Sequence, residues 1–240
     1  LLLGAGASIH LAGASILLTY IIVGFILFMF MRAMGELLLS NLGFKSFGDI
    51  AHHHIGSMAG FMVGWTYWLT WIISGMAEVT AVAKYVDFWY PDMPNWITAA
   101  ATILVLVALN LFSAKLFGEL EFWLSIIKVI TILALIIVGI VMVIFAMKTD
   151  YGPATVTNIW KEGGFFPNGA SGFFMSFQMA IFSFIGIELI GITAGETKNP
   201  HETIPQAINN VPFRILIFYI GSLSEIMTVE TWQKLHPAQT

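Results

Sequence analysis

A carboxylate embedded in an apolar run is costly enough to need a reason. One of the fourteen acids of this sequence sits in such a run, Phe182-Ser-Phe-Ile-Gly-Ile-Glu188. Gly186 precedes the acid by two residues and is a plausible place for a helix to unwind. Unwinding frees backbone N–H and C=O groups, which can hold the carboxylate and ammonium of a small zwitterion beside a polar cavity. If helix continued past the acid, Glu188 would lie about 12 Å of rise from Glu196, well inside a bilayer. The plainer alternative is a glycine serving helix packing and a Glu hydrogen-bonded to a neighbouring helix. Both readings stand on the residues alone.

Lys128 is the second candidate, alone in Phe122-Trp-Leu-Ser-Ile-Ile-Lys128-Val-Ile-Thr-Ile-Leu. A desolvated lysine is a switchable charge suited to proton coupling. Its alternative is a stem that snorkels to the headgroups. Glu78, in Trp71-Ile-Ile-Ser-Gly-Met-Ala-Glu78, could bind a proton or a substrate ammonium, or simply be hydrated near an interface.

Other polar groups point to ordinary roles. Arg32 and Glu36 are spaced i,i+4, the spacing of an interfacial ion pair on a helix. His52, His53 and His54 are consecutive, so they fan apart and do not converge on one metal; no metal site is expected. Glu225 and Glu230 close the last apolar segment. There the segment is expected to leave the bilayer early, or its acids to face protein or water.

These residues need elements to hold them, and composition says which. Apolar residues are 58% of the 240 positions and charged residues 10%, with a mean hydropathy of +0.85. A soluble domain carries about 25% charged residues, so the expected solvent is lipid. A net charge of −4 with no basic run excludes nucleic acid as a partner. With no cysteine there is no disulfide framework or thiolate chemistry, and no cofactor is called for. Apolar segments fall at about 1–11, 15–40, 57–90, 96–112, 119–147, 172–195 and 207–229, most of them near the ~20 residues that cross a bilayer as helix. Strands are not expected, because an open sheet edge goes unsatisfied in hydrocarbon. The weak excess of Lys and Arg at Arg32, Lys45, Lys115, Lys198 and Arg214 places the connector after the second segment in the cytoplasm. The start at Leu1 inside an apolar run and the polar close at Thr240 both suggest truncation.

Several blocks together resemble the bacterial amino acid permeases of the amino acid, polyamine and organocation superfamily. They are Arg-Ala-Met-Gly-Glu-Leu-Leu-Leu-Ser-Asn from Arg32, Gly-Trp-Thr-Tyr-Trp from Gly64, Phe-Gly-Glu-Leu-Glu-Phe-Trp from Phe117, Phe-Ser-Phe-Ile-Gly-Ile-Glu from Phe182 and Gly-Glu-Thr-Lys-Asn-Pro from Gly195. The finer blocks are most similar to permeases for D-serine, D-alanine and glycine. The resemblance implies an all-α polytopic fold of two inverted five-helix repeats, here the second half of helix 1 and helices 2–7. It divides the chain into a first repeat at 1–148, a periplasmic connector at 149–171 and the opening helices of the second repeat at 172–240. It also implies substrate contact by Phe182, Ser183, Phe184, Gly186 and Glu188, and proton coupling through Lys128, Glu188 or Glu78. Ala14 departs from the family's usual proline, and Glu225 and Glu230 fall where the family is apolar.

The expected activity is symport of a small amino acid with a proton, across the inner membrane of a bacterium. The expected partners are that amino acid, the lipid bilayer and the parent transporter's missing helices. A non-transporting fragment is the alternative. An intramembrane hydrolase is disfavoured, because no Ser–His pair shares a helix face.

Overall fold

In hydrocarbon each backbone group needs a partner within the protein, so long apolar runs fold as helix. The computed structural model describes residues 2–111, 114–149, 152–161, 163–189 and 199–229, and helix dominates them. The helices are α1 (Leu2–Ala12), α2 (Ser15–Ser40), α3 (Phe47–His54), α4 (Ser57–Asp87), α5 (Asn95–Leu111), α6 (Ala114–Ile144), α7 (Gly169–Ser183) and α8 (Pro200–Val229). A two-residue hairpin, β1 (Lys148–Thr149) with β2 (Gly152–Pro153), and a 3-10 turn at Val156–Ile159 lie between α6 and α7. Among the described residues, α2, the Phe122–Ile144 part of α6 and α8 are long and apolar enough to cross a membrane.

Three differences from the sequence reading have physical causes. The short helix α3 was not expected, since it carries polar residues over only eight positions. The Ser46 side chain caps it by accepting from the Asp49 N–H at 3.1 Å, and Asp49 Oδ2 accepts from the Lys45 N–H at 3.1 Å, a box of reciprocal caps. The sixth segment, expected over 172–195 with Gly186 as a plausible break, begins at Gly169, stops at Ser183 and turns through 184–188. The seventh begins at Pro200, not Ala207, and runs through Glu225 to Val229. Proline is tolerated in the first turn, where its missing N–H costs no bond.

Two compact units emerge, residues 1–43 with 130–240, and residues 44–129. In the first, α2 and α8 pack antiparallel through glycine notches. A Cβ on Gly24 would lie 2.8 Å from Leu216 Cδ1, and one on Gly35 would collide with Ile208 Cδ1. Small residues let spanning helices approach, and dispersion then holds them. Tyr20, Ile16, Met31, Ile204, Leu223 and Met227 fill this seam and are almost completely buried. The α1–α2 turn docks on the start of α7, where Asn168 Nδ2 donates to the carbonyls of His10 at 3.0 Å and Leu11 at 2.9 Å. The end of α8 is tied to the connector, with Asn158 Nδ2 donating to the Thr228 carbonyl at 2.9 Å. Glu225 faces protein: its side chain occupies the notch left by Gly139 on α6. Glu230 and Glu196 lie outside the described residues.

In the second unit α3 folds back on α4, and Gly60 lies so near that a Cβ there would come within 2.9 Å of the Gly48 carbonyl oxygen. Phe47 meets Tyr67 edge-on at 5.1 Å. Phe61, Trp65, Trp68 and most other large apolar side chains of α4 and α5 are exposed. The last turn of α4 gives way to turns before Pro91 and Pro94, with the Trp89 and Tyr90 N–H groups donating to the Val86 carbonyl.

Candidate functional site

Helix α7 ends in the middle of an apolar run, and Gly186 explains how. Its φ of +97° lies in the left-handed region, which only glycine enters at little cost. The N–H groups of Phe184, Ile185 and Ile187 each donate to the carbonyl three residues back, at 3.1, 3.2 and 3.3 Å, tightening the chain into turns. The Gly186 N–H goes elsewhere: it donates to Glu188 Oε2 at 2.9 Å. In an unbroken helix the Ser183 carbonyl would accept from Ile187. Here Ile187 turns to Phe184, and the Tyr219 hydroxyl of α8 donates to the Ser183 carbonyl at 2.6 Å instead.

A second phenol meets the same serine from α2. Tyr20 Oη and Ser183 Oγ are 2.9 Å apart, and Ser183 Oγ also donates to the Met179 carbonyl at 2.9 Å. From the adjacent residue of α2, Thr19 Oγ1 lies 2.8 Å from Ser176 Oγ, two turns earlier on α7. The rings of Tyr20, Tyr219 and Phe184 form a closed triangle, with centroids 4.9 Å (Tyr20–Tyr219), 5.3 Å (Phe184–Tyr219) and 6.0 Å (Tyr20–Phe184) apart. All three are nearly buried. Aromatic pairs at such separations and tilts add to plain area burial. The break is thus braced from two spanning helices.

Its depth follows from helix rise. Tyr219 precedes Val229, the end of α8, by ten residues, about 15 Å of helix. The break therefore lies about half a bilayer's thickness of helix rise from that end of α8.

The expected site residues divide between the two units. Phe182 is 42% exposed on the last turn of α7, Ser183 joins the two tyrosines, and Phe184 packs into the aromatic triangle. Gly186 and Glu188 face each other across the turn. Lys128 on α6 and Glu78 on α4 belong to residues 44–129, and both side chains are exposed within that unit. Among the described residues no group of three or more His, Asp or Glu side chains could hold a metal. His53 and His54 instead meet Phe44 at tilted and edge-on angles, with centroid distances of 5.3 and 5.9 Å. Sequence reasoning missed Tyr20, Tyr219, Thr19 and Ser176. The signal available was a phenol deep in an apolar helix, since a buried Tyr hydroxyl usually finds a partner.

Broken helices braced by their neighbours are a way membrane transporters build substrate sites, and among the described residues three helices are long and apolar enough to cross a membrane. The class is therefore a multi-pass α-helical membrane protein. The amino acid permease family model matches residues 1–239, and the chain belongs to that family. It is 52% identical over 240 residues to the uncharacterized transporter YdgF of Bacillus subtilis, covering 100% of this chain and 52% of that protein. It is 49% identical over 241 residues to the D-serine/D-alanine/glycine transporter of Escherichia coli K12, covering 100% and 51%. The aromatic amino acid transport protein AroP of the same strain is 46% identical over 236 residues, covering 98% and 51%. The chain spans about half the length of the curated relatives it matches. No solved structure matches it. The chain is a multi-pass inner-membrane protein of the permease type, not an enzyme.

Proposed function

We propose that the chain serves secondary active transport of a small amino acid across the cytoplasmic membrane, by symport with a proton. The observation that carries this reading is the turn at 184–188, where Gly186 at φ +97° leaves its N–H to a carboxylate. An N–H that donates to one carboxylate can donate to another, and an amino acid brings one. The names of the relatives, which include a D-serine/D-alanine/glycine transporter, support an amino acid as the cargo.

In this reading Phe182, Ser183, Phe184, Gly186 and Glu188 contribute to the substrate site. Lys128, Glu188 and Glu78 are the candidates for carrying the coupled proton, with no other cofactor required. The division into repeats at 1–148 and 172–240, joined by a periplasmic connector at 149–171, belongs to the same proposal. The hairpin and 3-10 turn in that connector support an aqueous location for it.

The test is uptake. The chain is reconstituted into liposomes together with the remaining half of the E. coli D-serine/D-alanine/glycine transporter, and labelled glycine, D-alanine and D-serine are supplied with and without an inward proton gradient. Gradient-driven accumulation of at least one is expected. Failure of every amino acid to accumulate or compete, in vesicles where both halves are shown to be inserted, would sink the reading. Accumulation indifferent to the gradient would remove the proton from it.

A further inference from the structure

Among the described residues, Glu225 Oε2 is the carboxylate oxygen that is shielded from solvent and has no hydrogen-bond partner. The side chain lies in the notch of Gly139 on α6, where a Cβ would collide with Glu225 Cγ and Cδ. One turn earlier on α8 the notch is on the other helix: a Cβ on Gly221 would come within 2.9 Å of Ile136 Cδ1. The two helices thus interlock in both directions, and the carboxyl is one of the two knobs.

No charge on the facing elements compensates it. Residues 130–144 of α6 include no titratable side chain. On the last turns of α8 the titratable neighbour is Tyr219, whose hydroxyl is spent on the Ser183 carbonyl. Helix α2 brings Tyr20, which meets Ser183 Oγ, and carries Arg32 and Glu36 exposed at its far end. The hairpin residue Thr149 reaches the Val229 carbonyl, and its neighbour Lys148 is exposed, as is Lys161 after the 3-10 turn. An ionised carboxylate held in such a place without a partner is costly, and a bound proton removes the charge.

We propose that Glu225 is a proton-binding site that latches α6 to α8: the neutral carboxyl seats in the Gly139 notch, and loss of its proton unseats it and loosens the seam. This goes beyond the transport reading and does not depend on it. The proton has a short way to travel, since Val229 at the end of α8 is only about 6 Å of helix rise farther on. The sign of the pH dependence follows. The unfolded chain hydrates the charge and the seam does not, so stability is full in acid and falls as pH rises above the ordinary carboxyl range.

The experiment compares wild type with Glu225→Gln, which keeps the shape of the neutral acid, and Glu225→Met, which has similar length and no oxygen. Infrared difference spectra of the whole chain in lipid nanodiscs, wild type minus each variant, are recorded from about pH 5 to about pH 9. A protonated-carboxyl C=O stretch is expected in wild type at the acid end, missing from both variants, and lost by the alkaline end. Thermal unfolding in mild detergent should give matching midpoints for wild type and Glu225→Gln at about pH 5, with Glu225→Gln higher by roughly 3 °C at about pH 8. Glu225→Met should lose the same pH slope, and it carries both comparisons if Glu225→Gln does not fold.

A wild-type spectrum without the band at every pH overturns the bound proton. A band that persists to the alkaline end overturns its release. A gap in unfolding midpoint between wild type and the variants that stays constant with pH overturns the latch.

Discussion

Two glycines in this chain each face a glutamate, and the two pairs are built oppositely. At Gly186 the missing Cβ is used for conformation: φ reaches +97°, α7 breaks, and the freed N–H donates to Glu188. At Gly139 the missing Cβ is used for space. There α6 runs on without a break to Ile144, and the side chain of Glu225 from α8 fills the notch, with Oε2 shielded and without a hydrogen-bond partner. One pair takes up backbone polarity freed by a helix break; the other hides a polar side chain between helices. Glycine and glutamate thus meet twice at helical depth for unrelated physical reasons, and each has its own way of being broken.

The largest effect belongs to the packed pair. Gly139→Leu drives a side chain into the position of Glu225 Cγ and Cδ, an overpacking that costs about 3 kcal/mol. Thermal unfolding of the chain in mild detergent reads this directly. Gly139→Ala is the finer probe, because alanine in a helix interior is worth about 1 kcal/mol more than glycine. A net loss from that substitution can only come from the clash. Adding Glu225→Ala should recover most of the loss, a coupling that a double-mutant cycle isolates. Additive losses would mean that Gly139 and Glu225 are not partners.

Next in size is Tyr219→Phe, which strips the partner from the Ser183 carbonyl at the end of α7. A buried acceptor left unsatisfied costs about 2 kcal/mol. Tyr20→Phe should cost about half of that, since Ser183 Oγ keeps its bond to the Met179 carbonyl. Detergent unfolding curves for the two variants, measured side by side, give the order. Equal losses would show that the break is braced as a unit and not chiefly at its carbonyl.

Much of this was legible in the sequence, for reasons that differ by element. The spanning helices follow from run length and apolarity, and the 15–40 segment is α2 to the residue. The break was visible because Gly186 and Glu188 are strange together inside an apolar run, and strangeness in hydrocarbon has few innocent causes. What escaped was whatever depends on a partner far away in the chain. Tyr20 and Tyr219 read as ordinary apolar-helix residues until Ser183 is brought between them, 163 and 36 residues away. Glu225 allowed either an early exit from the bilayer or a side chain facing protein, and the notch at Gly139 that decides it is invisible until two helices are packed. Helix α3 was hidden by its polarity, although the Ser46 and Asp49 spacing carried a capping signal.

The remaining prediction is the sharpest contrast between the pairs. Gly186→Ala asks an L side chain to hold φ near +97°, which costs about 1 to 2 kcal/mol. That strain resides in the residue's own backbone, so no side-chain deletion elsewhere relieves it, Glu188→Ala included. The chain has another way out, which is to rewind: Ser183 takes back the Ile187 N–H, Tyr219 loses its acceptor, and α7 continues past its present end. The stability lost is then small while the turn itself is gone. Reconstituted with a relative's remaining half, Gly186→Ala should insert normally and lose amino acid uptake. Its Gly139→Ala counterpart should lose stability and recover both stability and uptake when Glu225 is shortened. If shortening Glu188 rescued Gly186→Ala in the same way, the strain would lie in packing, and the two glycines would be one device used twice.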